Sequence, residues 1–213
     1  MIVFLNGDYV KQDEAKVHIS DLGLTRGYGV FEFLRFQDGK PRFLGAHMQR
    51  FVDSAKRLHL QLPEDTKSLE RVIREIIRRN IDTIITGAIS LVLTGGYSTD
   101  GYSLCVSERE QQHSLMVNIV PLRDPPTDWY TQGVKVMLHD YERQTPQAKT
   151  IDYMEGIRMQ PILRERGFDV IAYVDRHDHV RECDRMSLFC VIHGILKSPP
   201  TSVVLAGVTR QYV

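Results

Sequence analysis

A proline-rich segment in the middle of the chain, PLRDPPTD at residues 121–128, constrains the fold more than any other feature of the sequence. Proline has no backbone N–H and favours an extended backbone, so such a segment joins structural elements and does not continue a helix or a central strand. The length of 213 residues is sufficient for two small domains. We therefore predict an N-terminal domain at residues 1–120, a linker at residues 121–130 and a C-terminal domain at residues 131–213.

The apolar pattern before the linker predicts a mixture of strands and helices. Residues 2–5 are apolar and precede Asn6-Gly7, a pair that favours a two-residue hairpin turn. After Pro63, the apolar residues follow the spacing of one helical face, with Leu69, Val72, Ile73, Ile76 and Ile77. The other predicted elements of this half are a helix at residues 46–60 and strands at residues 29–36, 88–93 and 115–120.

The residues after the linker predict further strands around one helix. The helix is expected at residues 152–167, and a turn at residues 176–178 joins the last two strands. The strands are expected at residues 134–139, 168–174 and 179–193. The whole chain is therefore predicted to have an α+β fold.

Composition argues against several classes of function. Lys and Arg total 27, as do Asp and Glu, so the net charge of zero gives no general attraction to nucleic acid or to a membrane surface. No apolar run reaches the length of a bilayer span, and the N-terminus does not resemble a signal peptide. The 3 cysteines have no close pairing and the histidines have no metal-ligand spacing, so a cytoplasmic protein without a metal site is expected.

Lys149 lies in the segment QAKTIDYM, between a predicted strand and the helix predicted at residues 152–167. A lysine in such a place is either a solvated loop charge or a nucleophile. An amine becomes a useful nucleophile only where it is desolvated or lies near another cation. A junction between two domains provides such an environment, so Lys149 is a candidate for a Schiff-base lysine.

Four further segments occur in a fixed order around Lys149. They are GVFEFLR at residues 29–35, HMQRFVDSAKRL at residues 47–58, VRECDRMSLF at residues 180–189 and LAGVTR at residues 205–210. Together with Lys149 these segments resemble the class IV (fold type IV) pyridoxal-phosphate (PLP) enzymes, which include branched-chain amino-acid aminotransferases, D-amino-acid aminotransferases and aminodeoxychorismate lyases. The resemblance runs from about Asn6 to the last residue, and its N-terminal half looks most like the branched-chain enzymes.

The resemblance implies a cofactor, pyridoxal 5′-phosphate, and a role for several residues in binding it. Lys149 matches the lysine that binds the cofactor aldehyde covalently and then moves a proton during the reaction. Glu182 matches the carboxylate paired with the pyridine nitrogen, and Arg50 matches the arginine that binds the phosphate. Val208 and Thr209 match the residues that surround the phosphate at the start of a helix. Ser187 takes the place of an asparagine near the cofactor.

The resemblance also implies an architecture and a substrate side. The family has a small N-terminal α/β domain and a larger β-rich C-terminal domain, and a second subunit completes the active site, so a homodimer is expected. Phe31, Arg35 and Tyr97 are the candidate substrate residues. The family pattern continues with a helix and strands beyond Val213, so the C-terminal domain is expected to be incomplete in this chain.

The sequence departs from the family pattern in two places. Residues 183–187 are bulkier and more charged than the small residues of many relatives. In the loop at residues 94–103, Asp100 and Tyr102 stand where D-amino-acid aminotransferases carry an Arg and a His for the substrate carboxylate. The branched-chain enzymes carry a Tyr and an Arg where this chain has Ala88 and Ser90.

The resemblance therefore predicts an aminotransferase that moves the amino group of a small amino acid, with branched-chain donors among the candidates, to a 2-oxo acid. One alternative within the family is an aminodeoxychorismate lyase, which releases pyruvate and whose loop also ends in Gly-Tyr-Ser. An alternative of another class is a non-catalytic protein of the same fold that serves in assembly. Residues 183–187 and the end of the chain at Val213 motivate that last alternative.

Overall fold

The computed structural model describes residues 1–97 and 112–213. Asp100 and Tyr102, which the sequence assigned to the substrate loop, lie outside the described residues. The chain divides into two compact units. Unit 1 comprises Met1–Arg123 and Ala148–Asp152, and unit 2 comprises Asp124–Gln147 and Tyr153–Val213. The chain passes from unit 1 to unit 2 within the expected linker, and five residues around Lys149 return to unit 1.

Unit 1 is built on an antiparallel sheet with helices against it. Within the described residues, the sheet has six strands in the order β2-β1-β6-β5-β3-β4. The strands are β1 Ile2–Leu5, β2 Asp8–Lys11, β3 Gly29–Gln37, β4 Lys40–Pro41, β5 Gly87–Tyr97 and β6 Gln112–Val120. The helices are α1 Leu22–Arg26, α2 Leu44–Arg57 and α3 Thr66–Asn80.

The turn between β1 and β2 follows directly from its two residues. Asn6 and Gly7 have φ angles of 51° and 104°, which is the left-handed region that a two-residue hairpin turn requires. Glycine adopts this region without steric cost and asparagine tolerates it better than most residues. The predicted hairpin is confirmed, with Leu5 paired to Asp8.

Helix α3 forms where the apolar spacing predicts it. The side chain of Asp65 caps its first turn by accepting a hydrogen bond from the backbone N–H of Ser68 at 2.7 Å. The five apolar residues of the predicted face are all buried in the core of unit 1. Helix α2 packs into the same core but ends at Arg57, three residues earlier than predicted.

Unit 2 contains a small sheet with one long helix against it. Its described strands pair in the order β7-β8-β9, with β7 parallel to β8 and β9 antiparallel to β8. Met159 and Leu163 of the helix pack against Ile171 and Tyr173 of the sheet. The strands are β7 Val136–Asp140, β8 Val170–Val174 and β9 Val180–Cys183, and the helices are α4 Asp128–Thr131 and α5 Met154–Arg166.

The long strand predicted at residues 179–193 is wrong. The chain forms β9, turns, and then forms a separate hairpin of β10 Cys190–Ile192 and β11 Ile195–Lys197. The backbone N–H of Cys183 donates to the carbonyl of Met186 at 3.0 Å, so the chain folds back directly after β9. The alternation of apolar residues did not distinguish this turn from a continuing strand, because the turn depends on the backbone hydrogen bond between Cys183 and Met186.

In residues 1–97 and 112–213, no helix has both the length and the apolar character that crossing a bilayer requires.

Candidate functional site

The segment around Lys149 is attached to the sheet of unit 1. Thr150 forms an isolated antiparallel bridge with Val30 of β3. The backbone N–H of Phe31 donates to the carbonyl of Lys149 at 2.9 Å. Lys149 therefore lies beside the start of β3, on the chain segment that precedes α5, between a strand and a helix as predicted.

Gly29 permits this close approach. The N–H of Ile151 donates to the carbonyl of Gly29 at 3.1 Å. A Cβ at position 29 would lie 2.9 Å from Cδ1 of Ile151 and 2.8 Å from the carbonyl oxygen of Leu93. A larger residue would displace the segment that carries Lys149, so local steric crowding explains why position 29 is a glycine.

The amine of Lys149 lies over an aromatic ring. Its Nζ is 4.0 Å from the ring centroid of Phe31, which is the geometry of a cation–π contact. The backbone N–H of the same lysine donates to Oγ of Ser54 at 3.1 Å. Ser54 lies on α2 and is 1% exposed. The structure therefore places Phe31, one of the predicted substrate residues, in contact with Lys149.

Arg50 forms part of a buried cluster of charged side chains in unit 1. Its Nε donates to Oε2 of Glu32 at 2.9 Å, and its Nη2 donates to Oε1 at 2.6 Å. His47 Nδ1 lies 3.0 Å from Oε1 of the same carboxylate. Burial acts to raise the pKa of Glu32, but the hydrogen bonds to His47 and Arg50 outweigh burial, so this pKa lies below its ordinary value. Glu32 is therefore a buried carboxylate that remains ionised.

The other two predicted substrate residues lie elsewhere on unit 1. Arg35 is exposed on β3, on the same face of the strand as Phe31 and Phe33, because side chains alternate along a strand. Tyr97 stacks on the ring of His18, with centroids 4.1 Å apart and an angle of 17° between the planes.

Glu182 lies on β9 in unit 2 and is held by two groups. Its Oε1 accepts from Nε of Arg143 at 2.9 Å and from Nη2 at 2.8 Å. Its Oε2 accepts from the backbone N–H of Leu205 at 3.2 Å. Nη2 of Arg143 also donates to the carbonyl of Pro146 at 2.6 Å. The carboxylate is thus fixed in direction by a side chain and by the backbone near residues 205–210.

Glu182 and Arg143 line an open pocket within unit 2. Tyr141 and Tyr173 line the same pocket, and their rings meet edge to face with centroids 4.9 Å apart. Burial raises the pKa of Tyr173 well above its ordinary value, so this phenol stays protonated at neutral pH. The pocket therefore combines a fixed carboxylate, a guanidinium and two aromatic walls.

Ser187, Val208 and Thr209 lie near one another in unit 2. A Cβ added to Gly207 would lie 2.6 Å from Oγ of Ser187, so the serine lies directly against residue 207. Val208 is buried and precedes a single 3₁₀ turn at Thr209–Tyr212. Val208 and Thr209 thus stand at the start of a helical turn, as the resemblance implies.

Four residues of these clusters were not singled out from the sequence: Glu32, His47, Ser54 and Arg143. Glu32 carried a usable signal, because it is a charged residue at a position that alternation in β3 assigns to the buried face. Ser54 and Arg143 carried none, since their contacts join residues 95 and 39 positions apart in the sequence.

Comparison with known proteins agrees with these features. The model of the amino-transferase class IV family matches residues 29–213. A putative branched-chain-amino-acid aminotransferase of Methanocaldococcus jannaschii is 28% identical over 219 residues, which covers 100% of this chain and 73% of the relative. A D-alanine aminotransferase of Staphylococcus haemolyticus is 25% identical over 214 residues. The match covers 99% of this chain and 73% of that relative.

Solved structures give the same result for the fold. The branched-chain amino acid aminotransferase of Escherichia coli superposes with a TM-score of 0.87 at 25% identity, with 99% of this chain and 72% of that chain covered. The branched-chain aminotransferase of Thermoproteus uzoniensis, solved with norvaline, superposes with a TM-score of 0.83 at 26% identity, with 100% and 72% covered. The predicted resemblance and the α+β fold are confirmed, and the chain belongs to the class IV aminotransferases.

Proposed function

We propose that this protein is a pyridoxal-phosphate-dependent aminotransferase that moves the amino group of a small amino acid to a 2-oxo acid. The observation that carries the proposal is the placement of Lys149. Its backbone is paired with β3, its N–H is bound by a buried serine of α2, and its amine lies against the ring of Phe31. A lysine held in this way differs from the solvated loop lysine that was the alternative.

The side chains present fit the cofactor in their chemistry. Pyridoxal phosphate needs an amine for its aldehyde, a carboxylate for its ring nitrogen, and cations or N–H groups for its phosphate. Lys149 supplies the amine and Glu182 supplies an anchored carboxylate in a pocket of unit 2. Arg50, Val208 and Thr209 supply a guanidinium and the start of a helical turn.

When bound, pyridoxal phosphate supplies an electron-accepting ring that stabilises negative charge on the substrate α-carbon. In the proposal, Lys149 holds and moves the proton at that carbon. Glu182, oriented by Arg143 and the N–H of Leu205, would pair with the ring nitrogen. Arg50 binds the phosphate with a guanidinium whose direction is already set by Glu32.

The substrate side of the proposal rests on Phe31, Arg35 and Tyr97. Arg35 is an exposed cation on the same face of β3 as Phe31, four residues further along the strand, and we assign it to the substrate carboxylate and Phe31 to an apolar substrate side chain. Ser187 is proposed as a further cofactor contact beside Gly207. Branched-chain donors head the list because the relatives from Methanocaldococcus jannaschii and Thermoproteus uzoniensis are named for them.

The assembly and location are part of the proposal. We propose a homodimer, on the resemblance to the family, and a cytoplasmic location. Cys183 and Cys190 are free thiols, which agrees with a reducing compartment. Light scattering coupled to size exclusion measures the assembly directly.

The proposal is tested with the full chain loaded with pyridoxal phosphate. Branched-chain L-amino acids, D-alanine and other small donors are each supplied with 2-oxoglutarate, and glutamate formation is measured. Lys149→Ala should abolish glutamate formation, and Lys56→Ala, an exposed lysine on α2, should leave it unchanged. Pyruvate release from aminodeoxychorismate, without glutamate formation, would identify the lyase instead.

A second measurement locates the cofactor without relying on turnover. Borohydride reduction of the loaded protein followed by peptide mapping should find the pyridoxyl group on Lys149. A pyridoxyl group on another lysine would overturn the assignment. Absence of any cofactor absorption band after addition of pyridoxal phosphate would favour the non-catalytic alternative.

A further inference from the structure

We propose that Ser54 is a positioning residue that fixes the backbone of Lys149. The fixed backbone in turn sets the position of the Cα that carries the lysine side chain. The inference rests on the proposed function, since it concerns the lysine assigned to the cofactor. Its contact can nevertheless be measured without cofactor. Ser54 itself touches neither substrate nor cofactor in this proposal, so it acts only through Lys149.

The contact lies in a buried part of unit 1. Oγ of Ser54 accepts from the N–H of Lys149 at 3.1 Å, and Ser54 is 1% exposed. The residue before the lysine, Ala148, is 0% exposed. A backbone N–H beside such a buried position needs an acceptor, because leaving it unpaired away from water is destabilising. Ser54 supplies that acceptor from a different element, α2.

The lysine backbone is thus held from two sides. Its N–H is bound by Ser54, and its carbonyl accepts from the N–H of Phe31 at 2.9 Å. Both polar groups of the Lys149 main chain are therefore bound by the scaffold of unit 1, one by a helix and one by a strand. The Lys149 side chain can still rotate about its four single bonds, but its Cα is held in place.

Helix α2 carries this serine one turn after Arg50. Residues four apart lie on the same face of a helix, so Arg50 and Ser54 face in a similar direction. Met48, Phe51 and Ala55 anchor the helix in the core of unit 1 with 0% exposure. One rigid helix therefore sets the separation between the proposed phosphate-binding arginine and the backbone of the proposed cofactor lysine.

The first experiment measures hydrogen exchange of the Lys149 amide in the full chain without cofactor. The unsubstituted protein is measured first, and the amide should be protected. Ser54→Ala should speed its exchange by roughly fivefold, the equivalent of one lost hydrogen bond. Ser54→Thr, which keeps the hydroxyl, should retain the protection. Ser114→Ala is the matched control, because Ser114 is a buried serine on β6 with 4% exposure.

The second experiment measures the rate at which pyridoxal phosphate attaches to Lys149 as a function of pH. In this step the neutral amine adds to the aldehyde carbon and one water leaves. Displacing the lysine lowers the plateau of the rate–pH profile, whereas a changed pKa would move its midpoint. We expect Ser54→Ala to lower the plateau roughly fivefold without moving the midpoint, and Ser54→Thr to restore it.

The outcomes separate the inference from the proposed function. An unprotected Lys149 amide in the unsubstituted protein, or equal attachment rates in Ser54→Ala and Ser114→Ala, overturns the inference. Failure of Ser54→Thr to restore protection and rate also overturns it. A thermal unfolding shift in Ser54→Ala with unchanged exchange and attachment assigns Ser54 a structural role only. Attachment to another lysine in the unsubstituted protein overturns the proposed function, while the exchange data still decide the contact.

Discussion

Glu32 and Arg50 form a bidentate ion pair inside unit 1, with Nε of Arg50 2.9 Å from Oε2 of Glu32 and Nη2 2.6 Å from Oε1. Glu32 is 0% exposed, and Nδ1 of His47 also contacts its Oε1, at 3.0 Å. Removing two charges from water is costly, so a buried pair is weak evidence for stability by itself. Its clearer consequence is orientation: the guanidinium of the proposed phosphate-binding arginine has a fixed direction.

Replacing Glu32 by Gln should destabilise the protein strongly. The variant leaves Arg50, whose side chain is only 12% exposed, without the carboxylate that neutralises it, which costs about 3 kcal/mol in the free energy of unfolding at neutral pH. Urea unfolding of both proteins measures this difference. Glu75→Gln is the control, because Glu75 pairs with Arg78 and Arg79 at the surface, and its loss should be much smaller. Equal losses would contradict the role assigned to burial.

The same pair predicts how stability depends on pH. The pKa of Glu32 in the folded protein lies below its ordinary value of 4.5, so its contribution is complete above pH 4.5 and is lost as pH falls through the lower folded value. Unfolding of the unsubstituted protein between pH 6 and about pH 2 should follow this loss. In Glu32→Gln, the free energy of unfolding should fall less steeply as the pH is lowered. Parallel curves would show that Glu32 does not titrate with a lowered pKa.

Arg50→Lys should weaken the binding of pyridoxal phosphate about tenfold, because lysine keeps the charge but loses the fork that binds a phosphate with parallel donors. The measurement is an absorbance titration of the full chain with pyridoxal phosphate. Arg57→Lys, an exposed position on the same helix, serves as the control and should bind normally. Unchanged affinity in Arg50→Lys would remove Arg50 from the proposed phosphate site.

Glu182→Gln should lower turnover roughly 100-fold, because it keeps the size of the side chain and removes the charge that we propose pairs with the ring nitrogen. Turnover is measured with the donor that the substrate panel identifies. Glu165→Gln, an exposed carboxylate on α5, is the control. Unaffected turnover in Glu182→Gln would show that this carboxylate does not pair with the ring nitrogen.

Arg143 and Glu182 should be energetically coupled. A double-mutant cycle with Arg143→Met, Glu182→Gln and the double variant should give a coupling of about 1 kcal/mol in the free energy of unfolding. The reason is that two hydrogen bonds from one guanidinium reach the same carboxylate oxygen. Additive effects of the two substitutions would mean that the contact contributes nothing measurable, and that another group holds Glu182.

Local sequence patterns were sufficient to predict several elements of the fold. The Asn6-Gly7 turn needed only the left-handed preference of its two residues, and α3 needed only the spacing of five apolar residues, from Leu69 to Ile77. The strand predicted through residues 179–193 was wrong because a backbone bond between Cys183 and Met186 turns the chain there. Apolar alternation cannot report such a bond.

By itself, the sequence determined the mixed α+β fold, the order of the motifs around Lys149 and the family that they indicate. These depend on local periodicity, turn chemistry and the order of residue types along the chain. Only the tertiary structure decided what holds each candidate residue: Ser54 and Phe31 for Lys149, Glu32 for Arg50, and Arg143 for Glu182. Such contacts join residues far apart in the chain, and their partners are selected by the packing of whole helices and strands, which no local pattern encodes.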